Sequence, residues 1–192
     1  MVGSQFVKAV GLANEWHVGQ MRKATQTPYI AHLIAVAGLV LEAGGDEDMA
    51  IAALLHDAME DAGVPATRIE EEFGTRVAGI VAACTDGTPD MERDASTWRP
   101  RREAHIAKLR LTENIDALRV SCADKLHNAR SILIDLRAGE DVWKRFNVPD
   151  PAQQLWYYRE LVQVFEARLK SPRWLPDELK RAVGQIGELA GA

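Results

Sequence analysis

The sequence predicts an all-α fold, a single compact helical bundle. Apolar residues recur at helical spacing through almost all of the 192 residues, and no segment shows the sustained alternation of a strand. Hydrophobic residues make up 47% of the chain and its formal net charge is −5, a balance typical of a globular protein. With no internal repeat and no linker in the sequence, we predict one domain over residues 1–192.

Capping signals define the first two helices. Thr27-Pro28 is typical of an N-cap followed by proline at the first helical position, and the helix is predicted to end near Glu42, before Gly44-Gly45. Asp46 is predicted to cap a second helix that continues through Met59. Because the connecting turn is short, we expect these two helices to pack against each other.

Further signals divide the rest of the chain. Thr67 and Glu70 match a capping box for a short helix that ends at Phe73-Gly74, and another helix is predicted over Thr75–Cys84. The polar stretch Thr85–Pro100 is predicted to be a long loop. The remaining helices are predicted over about 101–109, 113–136 and 153–169, the last opened by Asp150-Pro151, with a final helix after Pro176.

Charge is distributed unevenly along the chain. Ten acids and one base lie between Glu42 and Glu72, whereas Arg99–Arg110 holds five bases and one acid. This asymmetry suits a cation site beside an anion site, and the alternative is two solvated helix faces. The acidic net charge argues against a nucleic-acid-binding protein.

The cysteine content and the hydropathy of the sequence predict where in the cell the protein is found. Cys84 and Cys122 are the only cysteines, which argues against a thiolate metal cluster and against disulfides. No apolar run approaches the length of a membrane span, and the N-terminus lacks a signal-peptide pattern. We therefore expect a soluble cytoplasmic protein that does not contact a membrane.

The segment AALLHDAMED carries the strongest chemical signal. An apolar helical turn leads into His56, Asp57, Glu60 and Asp61, and spacings of three and four residues would place all four at one end of a helix. Burying such groups unpaired is costly, so a shared metal ion would stabilise them. A structural ion pair or a solvated helix end is the alternative.

Two more segments place polar groups among apolar ones. TPYIAH sets His32 on the helix expected to pack against the His56 helix, where it could also be an ordinary core histidine. VSCADKLHNAR sets Asp124 in a hydrophobic stretch, with Asn128 one turn later, and Asp124 could equally be a hydrogen-bonded structural residue.

These three segments resemble a known family. His32, His56-Asp57 and Asp124, in that order, are similar to the H…HD…D signature of the HD-domain metal-dependent phosphohydrolases. TPYIAH, AALLHDAMED and VSCADKLHNAR further resemble motifs of the hydrolase domain of RelA/SpoT homologues, especially the free-standing small alarmone hydrolases. The similarity covers about residues 20–136, with the C-terminal helices at 150–190 expected to pack on this core.

The resemblance implies a metal centre and its chemistry. His32, His56, Asp57 and Asp124 would be the ligands of one divalent metal, which the family implies to be Mn²⁺. Two imidazoles and two carboxylates are compatible with that ion, although affinity alone would rank zinc above manganese. Glu60 and Asp61 correspond to the family's Glu-Asp pair beside the metal, where a carboxylate could take a proton from the attacking water.

Substrate contacts are also implied. Arg22-Lys23 resembles the basic pair that the family directs at nucleotide phosphates, and Lys125, Asn128 and Arg130 occupy motif positions used near the substrate. Arg22 and Lys23 could instead be solvated bases, and Lys125 and Arg130 could be helix-surface charges, whereas Asn128 shares a helix face with Asp124. The basic stretch that contains Arg99, Arg101 and Arg102, together with its loop, could close over a polyphosphate.

Trp156-Tyr157-Tyr158 is assigned to core packing, with a base-stacking platform as the alternative, and one of the tyrosines could line the nucleoside pocket. His17 and His105 are given no role, and His127 is treated as an orienting or structural residue.

The implied activity is hydrolysis of the 3′-pyrophosphate of a (p)ppGpp-type alarmone, with release of pyrophosphate. One alternative is an HD phosphohydrolase acting on another nucleotide, such as an adenine alarmone, NADPH or a nucleoside phosphate. The other is a non-catalytic HD module that binds a nucleotide. The expected partner is a small nucleotide, with no nucleic acid, and the sequence does not define an oligomeric state.

Overall fold

A computed structural model describes residues 2–85 and 94–191, and it confirms the all-α prediction. Within these ranges the ordered elements are helices, apart from an isolated bridge between Met21 and Pro28. The helices are α1 (Ser4–Trp16), α2 (Ile30–Glu42), α3 (Glu47–Leu55), α4 (Ala58–Asp61), α5 (Ala66–Cys84), α6 (Ala95–Leu111), α7 (Ile115–Arg137), a 3₁₀ turn (Val142–Arg145), α8 (Pro151–Arg168) and α9 (Trp174–Ala190). Of the described helices, none combines the length and the apolar character that crossing a bilayer demands.

The described residues fall into two compact units. The first contains residues 2–85 and 114–123, and the second contains 94–113 and 124–191. Helix α7 is continuous and contributes its first half to one unit and its second half to the other. The single domain over residues 1–192 stays a prediction.

Helix α3 is the centre of the first unit. All seven residues from Met49 to Leu55 are buried, because α1, α2 and α5 pack against this helix. The turn from α2 to α3 requires glycine: a Cβ on Gly45 would lie 2.6 Å from Cγ1 of Val40, and Gly44 has a φ of +76°. The predicted packing of the two helices is therefore confirmed.

Several helix boundaries in the first unit differ from the predicted ones. Asp46 does cap α3, accepting a hydrogen bond from Met49 N at 3.0 Å. The predicted continuous helix to Met59 is wrong, because α3 ends at Leu55 and a separate single turn, α4, follows. The capping box is also wrong, since Pro65 is the N-cap of α5 and the Glu70 carboxylate accepts from Thr75 instead.

The junction predicted at Phe73-Gly74 is present as a kink. Gly74 has φ +87° inside α5, a backbone conformation that favours glycine and separates two helical segments. Beyond the kink, Arg76 donates to Asp46, Asp48 and Asp116, which ties the beginning of α3, the second part of α5 and the first turn of α7 together. These contacts hold the first turn of α7 in the first unit.

In the second unit, the main correction concerns α6. The helix begins at Ala95, capped by Asp94, so Arg99, Pro100, Arg101 and Arg102 are helical and do not belong to a loop. The rest of the predicted loop, residues 86–93, lies outside the described residues. Arg168 of α8 donates to backbone carbonyls of Leu109, Arg110 and Thr112, which closes the C-terminal end of α6.

The C-terminal helices match the prediction closely. Asp150 caps α8, accepting from Ala152 N at 2.9 Å, and α8 and α9 pack against each other. Helix α9 begins at Trp174, so that Pro176 lies in its first turn, where the missing N–H costs nothing. Tyr157 and Tyr158 are buried, in agreement with a packing role, while Trp156 is half-buried and lies under the Arg99 guanidinium.

Candidate metal centre

A short backbone-paired segment precedes α2. Arg22 N donates to Thr27 O at 2.8 Å, and Tyr29 N donates to Gln20 O at 2.9 Å. The helix begins at Ile30, and Thr27 takes part in this pairing, so its predicted role as N-cap is wrong. The pairing places Tyr29 and His32 at the N-terminal end of α2.

The structure brings His32, His56 and Asp57 together. Asp57 Oδ2 lies 3.0 Å from His56 Nε2 and 3.8 Å from His32 Nε2, and a ring nitrogen of each histidine lies within 4.8 Å of the other. The side chains of His32 and His56 are 1% and 4% exposed, whereas Asp57 is partly open to solvent. The break after α3 is what turns Asp57 toward the imidazoles, since its φ of −98° and ψ of −2° depart from regular helix.

The backbone fixes the tautomer of His56. Its Nδ1 lies 2.8 Å from the carbonyl oxygen of Ala53, which can only accept, so Nδ1 carries the proton. In the neutral ring, Nε2 then directs a lone pair at Asp57 Oδ2. Two lone pairs at 3.0 Å repel each other unless a cation or a proton lies between them. The donor set therefore fits a divalent metal ion, which both histidines and the carboxylate could bind.

Tyr29 supports the same carboxylate. Its hydroxyl donates to Asp57 Oδ2 at 2.6 Å, and its ring lies 5.4 Å from the His32 ring between centroids. A hydrogen bond behind a candidate ligand oxygen restricts the carboxylate to one orientation. Sequence reasoning assigned Tyr29 no role, although it stands three residues before His32.

Glu60 and Asp61 lie on α4, next to the candidate ligands. Glu60 is half-buried and Asp61 is exposed. Asp61 N donates to Asp57 O at 2.8 Å, which closes this single turn. The Asp61 carboxylate accepts from Gln20 Nε2 at 3.0 Å, and Gln20 Oε1 lies 2.6 Å from His17 Nδ1. The sequence motifs assign no role to Gln20 or His17, yet Gln20 contacts Asp61 directly and His17 contacts Gln20.

The predicted basic pair lies on the segment before α2. The Arg22 guanidinium carbon lies 6.0 Å from the centre of the Tyr29 ring, and Lys23 is exposed. Both therefore belong to the first unit and to the same segment as Tyr29. Their contact with phosphates stays a prediction.

Asp124, Lys125, Asn128 and Arg130 lie on the second half of α7, within the second unit. Asp124 is buried, accepts from Asn128 Nδ2 one turn later, and lies 2.8 Å from Lys125 Nζ. Burial disfavours the charged form of Lys125, but the Asp124 carboxylate outweighs this and raises the pKa of the lysine above its ordinary value. Nη2 of Arg130 lies 3.4 Å from Oε2 of Glu178.

Of the three histidines without a predicted role, His105 is buried in the second unit. Burial, reinforced by the charge of Lys125, lowers the pKa of His105 to about 3, so the ring is neutral at neutral pH. His127 lies on α7, and its carbonyl accepts from Ser131 Oγ. His17 differs from both, because it contacts Gln20 beside Asp61.

Comparison with known proteins identifies the family. The sequence profile of the HD domain matches residues 9–145, which include all four predicted metal ligands. The chain belongs to the HD-domain family. An HD domain implies that a divalent metal is bound, and His32, His56 and Asp57 form a cluster that could hold one.

Relatives of this HD domain include alarmone enzymes. The chain is 35% identical over 126 residues to a Haemophilus influenzae protein named guanosine-3′,5′-bis(diphosphate) 3′-pyrophosphohydrolase. The match covers 63% of this chain but 18% of that protein, so the chain spans less than a fifth of the relative's length.

Two solved structures resemble the HD domain over most of its length. A metazoan ortholog of SpoT that hydrolyzes ppGpp aligns with a TM-score of 0.75 and 27% identity, over 96% of this chain and 98% of the other. A Listeria monocytogenes protein aligns with a TM-score of 0.67 and 32% identity, over 84% of this chain and 99% of the other. The predicted HD fold is thus confirmed.

Proposed function

We propose that this HD domain is a metal-dependent hydrolase that removes the 3′-pyrophosphate of a (p)ppGpp-type nucleotide and releases pyrophosphate. The group formed by the buried His32 and His56 and the partly exposed Asp57 carries the proposal, since its donors converge as a divalent metal requires. The named activity of the Haemophilus influenzae relative and of the metazoan SpoT ortholog supports the substrate class.

The proposed ligands are His32, His56, Asp57 and Asp124. The first three converge within the first unit. Asp124 is proposed from its place in the VSCADKLHNAR motif and from its burial, and it follows directly on the part of α7 that belongs to the first unit. Two imidazoles and two carboxylates suit Mn²⁺, which we propose as the physiological ion.

A divalent ion in this position would supply Lewis acidity toward a phosphoryl oxygen and would lower the pKa of a bound water. The residues of the chain orient the proposed metal ligands and take a proton from the attacking water. The Ala53 carbonyl keeps the proton of His56 on Nδ1, and the Tyr29 hydroxyl holds Asp57. Glu60 is proposed to accept the proton of the attacking water, and Asp61 to hold that water in line with the bond that breaks.

Groups that bind the phosphates are proposed in two places. Arg22 and Lys23 stand on the segment before α2, in the same unit as the candidate ligands. Lys125, Asn128 and Arg130 follow Asp124 on α7. Arginine is suited to bidentate phosphate contact, whereas lysine acts as a point charge. The small nucleotide is the proposed partner, and the cytoplasmic location stays a prediction from the cysteine content.

The proposal is tested by identifying products. The purified chain, loaded with Mn²⁺, is incubated separately with ppGpp, its adenine counterpart and NADPH, and pyrophosphate and phosphate are assayed independently. Release of pyrophosphate from ppGpp is expected. Phosphate without pyrophosphate would assign a different hydrolytic reaction, and no product from any substrate would favour a nucleotide-binding module.

Replacing Tyr29 by phenylalanine tests how Asp57 is held. The ring stays in place against His32, but the hydroxyl that donates to Asp57 Oδ2 is lost. Loss of a hydrogen bond behind a metal ligand typically weakens metal affinity or activity about 10- to 100-fold. We therefore expect the Mn²⁺ dissociation constant, measured by calorimetry, to rise by about tenfold.

The matched control is Thr27→Val, which removes a hydroxyl from the same segment at an exposed position. This variant should keep the metal affinity of the unmodified chain. If Tyr29→Phe binds Mn²⁺ as tightly as the control does, the hydroxyl does not support the metal site.

A further inference from the structure

Three side chains of the first unit form a chain of hydrogen bonds that ends on a proposed catalytic carboxylate. His17 Nδ1 lies 2.6 Å from Gln20 Oε1, and Gln20 Nε2 lies 3.0 Å from Asp61 Oδ2. His17 is only 5% exposed and Asp61 is exposed, so the chain leads from the interior to the surface. The HD motif residues do not include His17 or Gln20.

The donor and acceptor groups of the three side chains fix the direction of both hydrogen bonds. A carboxylate can only accept, so the amide NH₂ of Gln20 faces Asp61 and the amide oxygen faces His17. Because that oxygen can only accept, Nδ1 of His17 carries the proton. The orientation of the Gln20 amide is thereby defined from both sides.

Contacts with Tyr29 hold these hydrogen-bonded side chains in place. The backbone carbonyl of Gln20 accepts from Tyr29 N, and the His17 ring stacks on the Tyr29 ring with centroids 5.2 Å apart. Tyr29 is also the residue whose hydroxyl donates to Asp57. Gln20 is therefore tied to the same short segment that supports the metal ligands.

We propose that Gln20 is a positioning residue that holds the Asp61 carboxylate, and that His17 orients Gln20. The inference rests on the proposed function, because it gives Asp61 a task in that reaction. The donor to Oδ2 favours one orientation of the Asp61 carboxylate, the orientation in which it is proposed to hold the attacking water. Gln20 thus acts through Asp61.

A double-mutant cycle tests this dependence. Gln20→Ala is expected to lower kcat about tenfold, the typical effect of one hydrogen bond to a charged group, with KM changed less than about twofold. In an Asp61→Asn background the same substitution should have no further effect, since the carboxylate that it positions is already absent. Bound Mn²⁺ should be unchanged in all variants.

Two further variants separate positioning from packing. Gln20→Met keeps the length of the side chain and should behave as Gln20→Ala does. His17→Phe keeps a ring against Tyr29 but removes the Nδ1 donor, and about a threefold fall in kcat is expected, which vanishes in the Gln20→Ala background. Gln26→Ala, an exposed glutamine on the same segment, is the control and should leave kcat unchanged.

Additive losses in the Gln20 and Asp61 cycle would overturn the proposal, because Gln20 would then act independently of Asp61. A second measurement does not need activity: the side-chain amide signal of Gln20 in a ¹H–¹⁵N spectrum should shift when Asp61 is replaced by Asn. An unchanged signal would contradict the contact itself. If the chain released no pyrophosphate at all, this spectrum would still test the positioning inference apart from the proposed function.

Discussion

Replacing Asp57 by alanine is expected to remove bound metal and to abolish turnover. Asp57 Oδ2 is the atom on which His32, His56 and Tyr29 converge, so its loss leaves two imidazoles without the carboxylate that completes the donor group. A metal supplies several kcal/mol of transition-state stabilisation, and each 1.36 kcal/mol is tenfold in rate, so turnover should fall by at least about a thousandfold.

Metal content is measured by elemental analysis after gel filtration, and turnover by pyrophosphate release. Asp57→Asn is the second variant, since its side-chain oxygen can still accept from Tyr29 and the fold is retained. It should also lose metal and activity, because the charge is gone. The exposed Glu71→Ala on α5 is the matched control and should keep both. Full metal content in Asp57→Asn would contradict the ligand assignment.

Replacing Glu60 by alanine or glutamine is expected to abolish turnover while the metal stays bound. Glu60 lies on α4, half-buried, three residues after Asp57 and outside the proposed ligand set. A general base contributes typically about 10²- to 10⁴-fold, so kcat should fall within that range. Since Glu60 does not bind the metal in this account, Mn²⁺ affinity should stay within about twofold.

The Glu60→Gln variant tests the charge alone, because glutamine keeps the size and the hydrogen-bonding shape of the side chain. Glu71→Gln is the control for removing a carboxylate from the same unit. If Glu60→Gln lost metal as completely as Asp57→Asn, Glu60 would be a ligand and its assignment as base would be wrong.

The cluster of His32, His56 and Asp57 was predictable because these residues belong to short motifs. His56 and Asp57 are adjacent in sequence, and His32 lies on a helix that packs on α3, so the helical periodicity that predicts the packing also predicts the proximity. The supporting residues were not predictable in this way. Tyr29, Gln20 and His17 reach the site through a backbone-paired segment without a periodic signature.

The boundaries that failed were decided by tertiary contacts. AALLHDAMED has the composition of a continuous helix, yet the chain breaks after Leu55, where Asp57 accepts from Tyr29. The polar stretch Thr85–Pro100 predicted a loop, with a helix only from about residue 101. In the structure Asp94 caps the helix and buried Trp98 anchors its first turns against the Tyr157 ring, so the proline is tolerated in the interior.

The proposed reaction is hydrolysis at the phosphorus bonded to the 3′ oxygen, and an isotope experiment distinguishes this from attack elsewhere. The reaction is run on ppGpp in water enriched in ¹⁸O, and the ¹⁸O content of each product is measured by mass spectrometry. Attack at that phosphorus breaks its bond to the 3′ oxygen, so one ¹⁸O should appear in pyrophosphate and none in the nucleotide. Label in free phosphate, or on the 3′ oxygen of the nucleotide, would contradict the account.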